Sequence, residues 1–102
     1  MASSVLYGWD MLRITETFEN DSTIRLRLDG TLSDISCVEV QQACTRCYSN
    51  SRQIILLDMA GVVFMNNHAA TKIVELKNDR LRIINCSPFI ETLLHAVEDE
   101  KP

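Results

Sequence analysis

The chain is predicted to be a small α/β domain: a central, mostly parallel sheet of about four strands plus an N-terminal hairpin strand, with helices packed on it. The order is β-β-α-β-α-β-α. Three observations carry this. Residues 23–28 alternate, with Ile24, Leu26 and Leu28 set against Arg25 and Arg27, which is the period of a strand with one solvated face. Residues 54–57 are an unbroken apolar run, the pattern of a strand covered on both faces and so flanked by helices. Between and after these strands lie segments with apolar residues at helical spacing, and strands alternating with helices build parallel β-α-β units. At 102 residues and 46% hydrophobic content the chain has the size of one domain with one core. The core is expected over about 11–98, after an N-terminal segment 1–10 and before a tail 99–102.

Met11 to Phe18 alternates Leu12, Ile14 and Glu16 with Arg13, Thr15 and Thr17, and the turn-prone Glu19-Asn20-Asp21-Ser22 joins it to residues 23–28 as a hairpin. Asp29-Gly30 is expected to break the second strand. A helix follows, with Ser33 or Asp34 as N-cap, running to about Tyr48. The strand at 54–57 ends in Asp58 and a tight turn at Gly61, and Asp58 is read as hydrogen-bonding the Ala60-Gly61 backbone. After Val62-Val63-Phe64-Met65 comes a short helix from about Asn67 to Lys77, able to turn Ala69, Ala70, Ile73, Val74 and Leu76 to the sheet. Asn67 is the expected N-cap, and Asn78 the left-handed residue that ends the helix. Leu81 to Ile84 is a further strand. Ser87-Pro88 opens the last helix, whose apolar face is Phe89, Ile90, Leu93, Leu94 and Val97.

Composition excludes several functions. Ten basic residues are scattered among fourteen acidic ones, so no concentrated Lys/Arg surface for nucleic acid is expected. No signal-like N-terminus and no run of about 20 apolar residues occurs, which implies a cytoplasmic chain without membrane insertion. Cys37, Val40, Cys44 and Cys47 fall on one helical face, so the Cys44-Thr-Arg-Cys47 pair is read as buried core thiols and not as a metal or redox site. No metal or cofactor is expected, since His68 and His95 lack the paired spacing of zinc ligands. Lys72, Lys77, Arg80 and Arg82 read as a solvated basic face, and His95 as a helix-surface or lower-core residue. Tyr7 and Trp9 either pack on the sheet edge or anchor a partner or a second copy.

Three stretches in order resemble a STAS domain, the fold of bacterial anti-sigma factor antagonists. Leu28-Asp29-Gly30-Thr31-Leu32-Ser33-Asp34 looks like the family's L-x-G-x-L-D. Ile55-Leu56-Leu57-Asp58-Met59-Ala60-Gly61-Val62-Val63-Phe64-Met65 is similar to its central V-L-D-L-S-G-V-x-F-I-D, and Ile83-Ile84-Asn85-Cys86-Ser87-Pro88 looks like its last strand and last helix start. The resemblance covers about Leu12 to Val97. It implies a non-catalytic protein-binding module of transcription regulation and signalling, whose partner is an anti-sigma factor with serine-kinase activity. The partner would dock at the loop after the central strand and the next helix.

The family's D-S-S-G, which carries its phosphorylated serine, falls on Asn66, Asn67, His68 and Ala69. The serine position is therefore His68, a degenerate phosphosite, and the serine switch is absent. Asn66, Asn67, His68 and Thr71 are the expected partner-binding residues, Thr71 offering the nearest hydroxyl. The second helix is about two turns shorter than the resemblance would suggest. A structural STAS-like subunit of a lipid-transport ATPase or of a stress-signalling assembly is the alternative. Exchange of a segment between two copies, giving a homodimer, is a further expectation.

Overall fold

A computed structural model describes residues 4–9, 12–50 and 54–100, with side chains described over 12–47 and 54–99. Five strands, β1 (Ser4–Trp9), β2 (Leu12–Asn20), β3 (Thr23–Leu32), β4 (Ile54–Met65) and β5 (Leu81–Ile84), form one sheet in chain order. The helices are α1 (Asp34–Asn50), α2 (Asn67–Leu76) and α3 (Pro88–Glu100). The chain is thus α/β, and from β2 onward it follows the expected β-β-α-β-α-β-α.

Two features differ. The N-terminal segment contributes a strand of its own, pairing with β2 from Ser4↔Thr17 to Trp9↔Leu12, so β2 is not an edge. The sheet is evenly mixed, because β1–β2 and β2–β3 are antiparallel while β3–β4 and β4–β5 are parallel. The side chains of Tyr7 and Trp9 lie outside the described residues.

The register builds the core. Ile24 pairs with Ile55 and Ile55 with Leu81; Leu26 pairs with Leu57 and Leu57 with Ile83, so these rows share one face. Buried Leu12, Ile14 and Leu28 extend the face through β2 and β3. Against it lie Cys37, Val40, Ala43 and Cys44 of α1, Ala69, Ala70, Ile73 and Val74 of α2, and Ile90, Leu94 and Val97 of α3. Each fully buried Leu or Ile is worth roughly 1.5–3 kcal/mol.

The other face carries the rows Arg25, Leu56, Arg82 and Arg27, Asp58, Ile84, with Arg27 and Arg82 exposed. The expectation of helices on both faces of residues 54–57 is therefore corrected. Leu56 is half-buried because it lies between two arginines, whose long apolar stems cover surface while their charges stay in water.

Neither expected chain break in this region occurs. β3 passes through Asp29-Gly30 to Leu32, with Gly30 at φ 119°, a left-handed backbone suited to glycine. β4 passes through Gly61 to Met65. The pairs Arg27↔Asp58 and Asp29↔Gly61 enclose one extra β4 residue, and Gly30↔Val62 and Thr31↔Phe64 enclose another, so the strand is bulged twice instead of turned. Gly61 is required by space: a Cβ there would lie 1.9 Å from Asp29 Oδ1 and 2.8 Å from the Leu28 carbonyl oxygen.

The helix ends follow their caps. Ser33 and Ser36 form a reciprocal box at the start of α1: Ser36 Oγ accepts the Ser33 N–H at 2.8 Å and Ser33 Oγ accepts the Ser36 N–H at 3.4 Å. Ser87 Oγ accepts the Ile90 N–H at 3.3 Å ahead of Pro88. α3 runs to Glu100, past the expected tail boundary, and Glu98 reaches Lys77 Nζ at 3.4 Å. α2 stops at Leu76 without a left-handed Asn78. Lys77 is extended (φ −64°, ψ 133°) and donates its N–H to Val74, while Asn78 Oδ1 accepts the Arg80 N–H at 2.7 Å. Among the described non-glycine residues the left-handed one is Asn85, at φ 60°. No helix among the described residues is long and apolar enough to cross a membrane.

Candidate functional site

Parallel strands β3, β4 and β5 all end where α1, α2 and α3 begin, so three helix N-termini gather at one end of the molecule. Ligand-binding groups in α/β folds commonly sit at this end. At α2 the cap is Asn66 and not Asn67. Asn66 is extended (φ −89°, ψ 172°), its Oδ1 accepts the Ala69 N–H at 2.8 Å, and its carbonyl accepts the Ala70 N–H at 2.9 Å. Two adjacent asparagines offer the same cap chemistry, and the reach of β4 to Met65 selects the first. Asn67 becomes the first helical residue, exposed.

His68 is also exposed, and its Nδ1 lies 3.1 Å from Asp34 Oδ2, with side chains 80% and 51% accessible. The first turns of α1 and α2 are thereby tied by a pair 34 residues apart in sequence. With Asp34 on Nδ1, the orientation of the imidazole is set from α1. Thr71 Oγ1 donates to the Asn67 carbonyl at 3.1 Å, which turns its hydroxyl back onto the helix. Of the four expected contact residues, then, Asn67 and His68 stand at the surface together. The Asn66 side chain is spent on the cap, and that of Thr71 on the backbone.

Asp58 does hydrogen-bond the following backbone, in a bulge and not in a turn: Oδ1 accepts the Ala60 N–H at 3.0 Å. It also accepts from Asn85 Nδ2 at 3.1 Å, and Oδ2 accepts from Arg25 Nη1 at 2.7 Å. Burial pushes this carboxyl up, but the Ala60 N–H, the Asn85 amide and the Arg25 guanidinium outweigh it and hold the pKa below the ordinary value. Asp58 therefore joins β3, β4 and the residue after β5. It fixes the bulge from which β4 runs on to Val63 and Phe64.

The residues that sequence reasoning missed are apolar. Ile35 (78% exposed), Val38, Val63 (76%), Phe64 and Phe89 are the large exposed hydrophobic residues among the described side chains. Ile35 and Phe89 lie in the first turns of α1 and α3, Val38 one turn further along α1, and Val63 and Phe64 just before the α2 cap. Phe89, expected on the inner face of α3, instead stacks on Phe64 with ring centroids 6.3 Å apart and planes at 23°. In sequence Val63-Phe64 looked like more of the buried strand, and only the fold shows that β4 there has already passed its last β5 partner, Asp58↔Ile84.

The cysteines behave as core. Burial pushes Cys37 and Cys47 up to about 11 and Cys44 up to about 12, so these thiols stay protonated at neutral pH. Cys86, half-buried, is also raised, first by burial and then by Glu91. Among the described residues no three His, Cys, Asp or Glu side chains are placed to hold a metal ion. His95 on α3, Lys77 just after α2 and Arg82 on β5 are exposed, while Lys72 and Arg80 are half-buried. Compared with protein-family models and with curated proteins, the chain matches none.

Proposed function

We propose that this domain is a non-catalytic protein-interaction module whose partner docks on the end where β4 runs into α2. The observation that carries the reading is the exposure, about half or more, of Val63 and Phe64 just before the α2 cap, of Phe89 stacked on Phe64, and of Ile35 next in sequence to Asp34, at the end where Asn67 and the His68–Asp34 pair stand. An apolar patch rimmed by polar side chains marks a surface that another protein covers. His68 supports binding over catalysis: it has an orienting carboxylate, but it is 80% exposed on a surface without the enclosure that catalysis uses.

The resemblance to anti-sigma factor antagonists makes the partner an anti-sigma factor of the serine-kinase kind. With His68 where the family has its phosphoserine, and with the Thr71 hydroxyl bonded to the Asn67 carbonyl, docking is not switched by serine phosphorylation. The test is recovery of the partner from the native cells with tagged protein, repeated with Asn67→Asp and His68→Glu. The reading requires the partner to be lost on substitution while circular dichroism shows the fold retained. Equal recovery by wild type and variants overturns it, and a recovered ATPase subunit moves the module into a transport assembly.

A further inference from the structure

We draw no further inference here: the strongest candidate outside the docking end, the notch of about 240 Å³ between α2 and α3 over Val74, Ile83, Leu94 and the half-buried Cys86, has a rim of exposed side chains, and nothing in the structure shows what would occupy it.

Discussion

Arg25 reaches from β3 to the neighbouring strand and donates to Asp58 Oδ2 at 2.7 Å, its guanidinium also bonded to Glu19 at the hairpin. The Asp58 side chain is only 4% exposed, so this pair is better sheltered than Arg27–Asp29, His68–Asp34 and Lys77–Glu98. Because its pKa is held below the ordinary value, its contribution to stability is fully present above about pH 4 and is lost as pH falls through the lowered value. Asp58→Asn is expected to cost about 1.5–3 kcal/mol at neutral pH, the range for hydrogen bonds to charged groups. Urea unfolding of both proteins from pH 7 to pH 2 checks this, and the gap between them should narrow at the acid end. A gap that stays constant with pH would mean that the carboxylate charge is not what stabilises the bulge.

The α2 cap separates two adjacent asparagines. Asn66→Ala removes the acceptor of the Ala69 N–H and is expected to cost about 1 kcal/mol. Asn67→Ala, at an exposed position, should stay within about 0.5 kcal/mol. Chemical denaturation of the two variants side by side decides the assignment, and the reverse order of costs would return the cap to Asn67.

Gly61→Ala tests the packing of the doubled bulge. The added methyl would overlap the Asp29 carboxylate, which can swing away, and the Leu28 carbonyl oxygen at 2.8 Å, which cannot move without the strand. A loss of about 1–3 kcal/mol is expected. Adding Asp29→Ala should recover part of it and not the whole. Full recovery in thermal melts would place the clash on the side chain alone.

Thiol reactivity follows burial. In the native state at pH 8, Cys86 should react with an alkylating reagent ahead of Cys37, Cys44 and Cys47, which are buried and raised to about 11–12. Time-resolved mass mapping of the alkylated peptides reads the order. Early labelling of Cys44 or Cys47 would show α1 to be open on that side.

Much of this was legible in the sequence because it depends on short-range patterns. The alternation of 23–28, the Ser33 and Ser87 caps and the cysteine face of α1 each rest on residues within a few positions of one another. The Gly61 turn misled because a glycine required by a close approach to Asp29 looks, in sequence, like one required by a turn. The run at 54–57 misled because its apolar second face is sheltered by Arg25 and Arg82, distant in the chain. At the site, Asn67 and His68 were visible from their place after the apolar strand, but Asp34 was not, since only the fold brings α1 and α2 together. The exposed apolar residues were hidden for a similar reason: Phe89 fits the inner helical pattern, and only its contact with Phe64 shows where it faces.

The docking surface is tested most directly by photo-cross-linking in the native cells, with a photoreactive residue placed singly at Val63, at Ile35, and at Arg82 on the open face of the sheet. Val63 and Ile35 should give the same partner adduct and Arg82 none. Adducts from Arg82 with none from Val63 or Ile35 would put the interface on the sheet face and contradict the account.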